Sequence, residues 1–94
     1  MTEFRIFETE RFQKDLEERL GSRAGKMAAK LKSHVYPQLR RQPYFGKNIR
    51  KLRSYQPETW RYRVGDFRFF YEINEEKKIV FMIAAGLRSG AYRT

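Results

Sequence analysis

The 94-residue sequence contains no cysteine and only one histidine, His34. The absence of cysteine excludes disulfide bonds, a thiol nucleophile and the cysteine-rich zinc modules found in many nucleic-acid-binding proteins. The single histidine has no second imidazole or carboxylate at ligand spacing, so it favours neither a metal site nor histidine-based acid–base catalysis. We therefore expect a protein that uses no metal and no other cofactor.

Long hydrophobic segments are also missing. The longest apolar run covers residues 79–85, whereas a membrane-spanning helix takes about 20 apolar residues. The amino terminus lacks a basic segment followed by an apolar one. Hydrophobic residues still make up 40% of the chain, enough for a packed core. We expect a cytoplasmic protein without a membrane partner, folded as one domain over residues 1–94.

Acidic residues are absent from the middle of the chain. Residues 19–57 hold eleven lysines and arginines and no carboxylate, within a chain whose formal net charge is +10. A basic block of this length cannot be neutralised locally, so it favours a polyanionic partner, of which nucleic acid is the first candidate. The alternative for its helical lysines is an ordinary solvated helix surface.

The amino-terminal half carries the pattern of a short strand followed by helices. Apolar and charged side chains alternate over residues 4–8, which predicts a strand with one buried face. Thr9 is the predicted N-cap of an amphipathic helix that ends at Gly21, and Ser22 is the predicted cap of a second helix. Pro37 predicts a kink or a new turn in that second helix.

The carboxy-terminal half carries strand patterns. Residues 59–64 alternate strictly, residues 67–73 are aromatic and β-branched, and residues 79–84 are almost entirely apolar, so three consecutive antiparallel strands are predicted, with the last one central. Residues 49–53 form a possible additional short strand. The fold class is therefore predicted as α+β, with two N-terminal helices in a hairpin packed on a small antiparallel sheet that ends in a three-stranded meander.

Arginines are concentrated on these strands. Because side chains alternate along a strand, Arg61 and Arg63 point to the same face, and the tight turn that follows brings Arg68 near them. Arg88 follows the third strand, and Tyr92 adds an aromatic ring close to it. Several guanidinium groups without a histidine or a carboxylate pair suit phosphate binding, and RNA supplies its own 2′-hydroxyl nucleophile. The alternative is a solvated sheet face with cross-strand ion pairs.

The segment Trp60–Tyr71, followed by an apolar strand and the stretch Leu87–Arg93, resembles the RelE/ParE toxin superfamily of bacterial and archaeal type II toxin–antitoxin modules. The resemblance extends back through residues 43–46 and 49–52 and covers nearly the whole chain. It implies helices packed on a small antiparallel sheet, the same fold class that the patterns predict.

RelE-like members of this superfamily cut messenger RNA in the ribosomal A site with basic strand residues and a tyrosine near the carboxyl terminus. The resemblance implies that Arg61 and Arg63 hold and polarise the scissile phosphate or assist activation of the 2′-hydroxyl. It further implies that Arg68 stabilises the transition-state anion, that Arg88 binds the phosphate or the leaving group, and that Tyr92 stacks on or orients the nucleotide. The chain departs from the family in carrying arginines at 61 and 63, where lysines are common, and in lacking a terminal histidine.

The function implied is a toxin that inhibits translation through ribosome-dependent, metal-independent cleavage of messenger RNA by 2′-hydroxyl attack. The expected partners are a cognate antitoxin encoded nearby, the ribosome and messenger RNA, with operator DNA bound only through the antitoxin complex. Basic residues expected to bind ribosomal RNA phosphates are Lys26, Lys30, Lys32, Lys47, Arg50, Lys51 and Arg53. Two alternatives remain open: a ParE-like inhibitor of DNA gyrase, and a degenerate toxin that only binds its antitoxin and operator DNA.

Overall fold

The computed structural model describes residues 3–87. Five strands and a run of helical segments follow one another along the chain. The strands are β1 (Arg5–Glu8), β2 (Ile49–Lys51), β3 (Trp60–Val64), β4 (Phe67–Asn74) and β5 (Ile79–Leu87). The α-helices, all between β1 and β2, are α1 (Glu10–Leu20), α2 (Ala24–Lys30) and α3 (Tyr36–Arg41). None of the helices in this part of the chain has the length and hydropathy needed to cross a membrane.

The first helix begins and ends where the sequence predicts. The Thr9 hydroxyl accepts a hydrogen bond from the backbone N–H of Phe12 at 3.2 Å, which satisfies one of the free donors of the first turn. The helix ends at Gly21, whose φ of 53° lies in the left-handed region that glycine adopts without steric cost.

The second predicted helix is not a single regular α-helix. A 3₁₀ turn at Gly21–Arg23 leads into α2, and a π-helical turn at Leu31–Val35 separates α2 from α3. No side chain caps the start of α2, so the predicted cap role of Ser22 is wrong. Pro37 lies in the first turn of α3, immediately after the π-helical turn. A proline removes a backbone hydrogen-bond donor and crowds the turn before it. The wider π-helical turn lies at this point, just before Pro37, and it makes room for the ring, so that the helical path continues through the proline.

The last helical segment, α3, lies close to β1, the strand that precedes the first helix. The Tyr36 hydroxyl donates to a carboxylate oxygen of Glu8, and the backbone N–H of Phe4 donates to the carbonyl of Arg40 at 2.8 Å. Burial raises the pKa of Tyr36 well above its ordinary value, and its hydrogen bond to Glu8 raises it further. The last helical turns therefore lie beside the strand that precedes α1.

The sheet is mixed, with five strands in the order β1-β5-β4-β3-β2. Strand β1 pairs parallel with β5, and the other neighbours pair antiparallel. The expectation of a wholly antiparallel sheet is therefore wrong, because the helices between β1 and the later strands form the long connection that parallel pairing needs. The predicted three-stranded meander makes up only part of this sheet. Strand β4, not β5, is central, although β5 is paired along both edges.

The core lies between the helices and one face of the sheet. Phe12 of α1 packs on Phe69 of β4 with ring centroids 6.0 Å apart, and both side chains are fully buried. Leu39 of α3 and Met82 of β5 are equally buried in the same cluster. The opposite face carries a smaller apolar cluster around Phe70. We call this side of the sheet the helix-free face, because the second cluster contains no residue from a described helix.

Candidate functional site

Four arginines come together on the helix-free face, at the edge of the sheet formed by β2, β3 and β4. Arg50 lies directly opposite Arg61 across β2 and β3, and Arg63 lies directly opposite Arg68 across β3 and β4. Residues paired in this way have Cβ atoms about 5 Å apart, and alternate residues of a strand share a face. We call these four residues the arginine cluster.

Arg61 lies between Arg50 of β2 and Phe70 of β4. Its side chain is half-buried, and its Nε has no hydrogen-bond partner within residues 3–87. Burial lowers the pKa of the Arg61 guanidinium, and the positive charges of Arg68, Arg50 and Arg63 lower it further. A half-buried guanidinium whose Nε has no partner in residues 3–87, and which is surrounded by like charges, is unfavourable in the free protein. A bound anion would relieve this cost.

Arg68 is held by the turn between β3 and β4. Its Nη1 donates to the carbonyl oxygens of Gly65 and Phe67, both at 3.2 Å. The turn requires Gly65 to adopt a φ of 58°, which favours glycine. The guanidinium of Arg68 is therefore fixed at the end of the hairpin, where Arg63 faces it.

The floor around the arginine cluster is apolar or open. Phe70 lies opposite Arg61 on β4 and is buried, and Ala84 of β5 continues the same row. In the neighbouring row of the sheet, Gly86 of β5 pairs with Arg68 of β4 and has no side chain. An anion on this face meets guanidinium groups on one side and the Phe70 ring and Gly86 on the other.

Neutralising carboxylates are found elsewhere. Arg50, Arg61 and Arg63 take part in no ion pair within the described part of the chain. The ion pairs present there join Asp15 to Arg11 and Arg19, Glu58 to Lys51, and Glu75 to Lys78. The alternative of a sheet face balanced by cross-strand ion pairs therefore does not describe these three arginines. Residues 3–87 also contain no group of three or more histidine, aspartate or glutamate side chains placed to hold a metal ion.

The other basic residues expected to bind RNA do not form one patch with the arginine cluster. Lys51 lies on the helix side of β2, where it bonds Glu58 at 2.9 Å and approaches the Trp60 ring. Lys30 lines a cleft with Arg63. The remaining residues of the set are exposed on separate loops and helical turns: Lys26, Lys32, Lys47 and Arg53.

Sequence reasoning placed Arg50 with the RNA-binding lysines and missed its place beside Arg61. The strand pattern at residues 49–53 was visible, but its pairing partner was not, and only the pairing shows that Arg50 shares a face with Arg61. Arg88 and Tyr92, the two remaining predicted site residues, lie outside the described residues. Arg88 directly follows Leu87, which pairs with Phe67 at the end of β5.

Comparison with known proteins gives a consistent result. Residues 6–92 match a family model described as the ParE toxin of the type II toxin–antitoxin system parDE. No curated protein sequence matches the chain significantly.

Solved structures of similar fold are toxins and toxin–antitoxin complexes. The RelBE2 complex of Mycobacterium tuberculosis contains a chain with a TM-score of 0.73 at 21% identity, covering 92% of this chain and 99% of that one. A chain of the RelE–RelB complex of Pyrococcus horikoshii gives 0.56 at 20% identity, with 97% and 100% covered. The isolated RelE toxin of E. coli gives 0.66 at 27% identity, with 97% and 87% covered.

Proposed function

The chain belongs to the ParE toxin family of type II toxin–antitoxin systems, within the RelE/ParE superfamily, and from this premise we propose that it is a ribosome-dependent messenger-RNA endonuclease that inhibits translation. In this proposal residues 1–94 form one toxin domain that works in the cytoplasm, away from membranes, without a metal or another cofactor.

The observation that carries the proposal is the arginine cluster, with the unpartnered Nε of Arg61 at its centre. Guanidinium groups bind phosphate through two parallel hydrogen bonds and keep their charge at neutral pH. Four of them on one sheet face form a positive surface for the negatively charged phosphates of RNA. The absence of ion pairs at Arg50, Arg61 and Arg63 in the described structure leaves this charge available to a ligand.

The proposed reaction is attack of the ribose 2′-oxygen on the adjacent phosphorus. The bond from phosphorus to the 5′-oxygen breaks, which leaves a 2′,3′-cyclic phosphate on one fragment and a 5′-hydroxyl on the other. Negative charge builds up on the non-bridging oxygens, and preorganised cations aimed at this charge lower the barrier. Arg61 and Arg63 hold the phosphate, while Arg68, fixed by Gly65 and Phe67, stabilises the transition state.

Two further residues complete the proposed site on the strength of the family resemblance. Arg88 binds the phosphate or the leaving oxygen, and Tyr92 stacks on or orients the nucleotide. Guanidinium groups stay protonated at neutral pH, so the contribution of every arginine here is electrostatic and none is assigned as the general base.

Basic residues outside the arginine cluster are assigned to the ribosome. Their distribution over several surfaces suits a polyanion that surrounds the toxin, and binding of this kind weakens steeply as salt rises. The residues in this set are Lys26, Lys30, Lys32, Lys47, Lys51 and Arg53; Arg50, for which the sequence predicts the same role, belongs to the arginine cluster.

We also propose a cognate antitoxin as partner, because the M. tuberculosis and P. horikoshii structures are toxin–antitoxin complexes. An acidic antitoxin segment would neutralise the basic surface, and operator DNA is then bound only through the complex. Phe7 on the edge strand β1 is 55% exposed and packs edge-on against Phe81, which offers such a segment an apolar contact.

A second candidate function is inhibition of DNA gyrase, and the description of the matching family model as a ParE toxin favours it. This function needs no nuclease site. The arginine cluster would then be a protein-binding surface, as it would in a degenerate toxin that only binds its antitoxin.

A paired assay separates these candidates. Purified protein is incubated with messenger RNA with and without translating ribosomes, cut sites are mapped by primer extension, and gyrase supercoiling is measured in parallel. We expect cuts only with ribosomes, lost in Arg68→Ala and kept in Arg5→Ala, which removes an exposed strand arginine from the opposite edge of the sheet. Intact RNA together with blocked supercoiling would replace the nuclease with the gyrase inhibitor.

A further inference from the structure

A cleft opens beside the arginine cluster, between the helical run and the turn that joins β3 to β4. Lys30 at the end of α2 and His34 in the π-helical turn form one wall, and Asn48 and Arg63 form the other. Its volume is about 290 Å³. The cleft exists because β2 pairs with β3 only as far as Tyr62, so the edge of β3 beyond that residue is not covered by a strand.

None of the described residues that line this cleft carries a carboxylate. Lys30 contributes a full charge and Arg63 lines the cleft at the edge of β3, and neither takes part in an ion pair in the described structure. Two other surface clefts differ in this respect. The one beside Lys51 contains Glu58, and the one beside Phe7 contains Glu8. The cleft at His34 therefore has the clearest preference for an anionic ligand among the three.

The polar side chains of the cleft also suit a nucleotide. Ser33 Oγ lies 2.6 Å from Nδ1 of His34, which leaves the other ring nitrogen for a ligand. The imidazole plane is a surface on which a base can stack, and the Asn48 amide has both donors and an acceptor for a base edge. Val35 and Val64 supply an apolar floor.

Arg63 connects the cleft to the arginine cluster. The same residue lines the cleft and faces Arg68 across β3 and β4. Its backbone is fixed by a hydrogen bond from its N–H to the Asn48 carbonyl at 2.9 Å, so the two sites are held in a constant relation. An RNA strand with one phosphate on the arginine cluster would reach the cleft with a neighbouring nucleotide.

We propose that this cleft is a second nucleotide subsite, which binds single-stranded RNA one nucleotide beyond the pair that flanks the scissile phosphate. Lys30 binds the phosphate of this nucleotide, and His34 and Asn48 contact its base. This inference rests on the proposed function, because the register of the RNA is set by the arginine cluster.

The test uses binding to the full-length protein, so that it does not depend on cleavage. The probes are fluorescent di- and tetranucleotides of 2′-O-methyl RNA, which cannot undergo 2′-hydroxyl attack, and affinity is measured by anisotropy at fixed salt. We expect the tetranucleotide to bind more tightly than the dinucleotide. The double substitution Lys30→Ala with His34→Ala should weaken tetranucleotide binding about tenfold or more and leave the dinucleotide nearly unchanged.

Matched controls keep the result interpretable. Lys14→Ala removes an exposed lysine of α1 that lies outside the cleft and outside the residues assigned to RNA, and it should leave both affinities within about twofold. Lys30→Arg keeps the positive charge at this position and should retain tetranucleotide binding. Retention would show that the loss in the double variant comes from the missing side chains and not from a change of residue 30 that disturbs the fold. Asn48→Ala should change the preference among tetranucleotides of different base composition.

The outcomes distinguish the subsite from the proposed function. Unchanged tetranucleotide affinity in the double variant, or a loss equal to that of Lys14→Ala, would overturn the subsite even if the protein cleaves messenger RNA. Loss of antitoxin or gyrase binding in place of RNA binding would assign the cleft to a protein partner and overturn it as well. If the protein fails to cleave RNA on ribosomes but the affinity pattern holds, the subsite stands and the nuclease proposal fails.

Discussion

Arg50 and Arg61 face each other directly across β2 and β3, so that two positive charges occupy a pair of positions where proteins usually place complementary side chains. Like charges at such positions are destabilising, and the unpartnered Nε of Arg61 adds to the cost. The free protein therefore gives up stability at the place where the proposed function needs an anion.

Replacing Arg61 by methionine should make the free protein more stable and less active. Arg61→Met removes the charge and the unpartnered donor but keeps an apolar stem against Phe70, so the free energy of unfolding should rise by about 1 kcal/mol. Messenger-RNA cleavage should fall by about 10²-fold or more. Urea unfolding and the ribosome assay measure the two effects, with Arg5→Met as the control for loss of a strand arginine. A less stable Arg61→Met protein would contradict the account of the arginine cluster as strained by its own charge.

Inorganic phosphate should stabilise the wild-type protein more than chloride does at the same ionic strength. A ligand that binds only the folded state raises the melting temperature, by about 5 °C when it contributes about 1 kcal/mol in a domain of this size. The shift should be much smaller in Arg61→Met, because the centre of the arginine cluster is gone. Differential scanning fluorimetry gives the comparison directly. Equal shifts in both proteins would mean that phosphate binds elsewhere.

Arg68 should tolerate lysine only in part. Its Nη1 bonds to Gly65 and Phe67 fix the guanidinium, and a lysine ammonium cannot make those bonds and a two-point phosphate contact together. Arg68→Ala should lower the single-turnover rate on ribosomes by about 10²–10³-fold, and Arg68→Lys by about tenfold. Circular dichroism verifies the fold of each variant. If lysine supported the full rate, charge alone would suffice and the fixed orientation would have no role.

The chemistry predicts a dependence on the 2′-hydroxyl and none on divalent metal at the cleavage step. A single 2′-deoxy substitution at the scissile nucleotide should abolish cutting at that site and leave neighbouring sites unchanged. On isolated stalled complexes, the product should carry a 2′,3′-cyclic phosphate, detectable by mass spectrometry. Chelation with EDTA after complex formation should not stop the reaction, provided that polyamines keep the ribosome assembled. A 5′-phosphate on the downstream fragment would exclude the proposed attack.

Asp15 should contribute strongly to the free energy of unfolding. Its carboxylate on α1 accepts a hydrogen bond from the Ala85 backbone N–H at 3.0 Å and lies in the buried layer between α1 and β5. Asp15→Ala leaves this N–H buried without an acceptor and should cost about 2–3 kcal/mol of unfolding free energy. Asp15→Asn keeps an oxygen acceptor and should cost less. Urea unfolding of both variants tests whether Asp15→Ala is the less stable of the two. An Asp15→Ala protein as stable as wild type would show that the hydrogen bond to Ala85 does not stabilise the fold.

Sequence reasoning recognised features whose cause is local. The cap at Thr9, the stop at Gly21 and the β3–β4 hairpin all depend on neighbouring residues, which is why they appear as patterns. The shared face of Arg61 and Arg63 follows from strand alternation alone. The role of Asp15 has no local cause, because its hydrogen-bond partner Ala85 is seventy residues away in the chain.

The amino-acid sequence by itself determined the order of the helical and strand regions, the positive charge of the protein and the residue types available to bind phosphate. Only the tertiary structure decided that β1 joins β5 in parallel, that Arg50 completes the arginine cluster, and that the cleft at His34 opens beside Arg63. The physical reason is that helix caps, turns and alternation are set by contacts within a few residues, whereas strand order and clefts depend on which distant surfaces bury the most apolar area together.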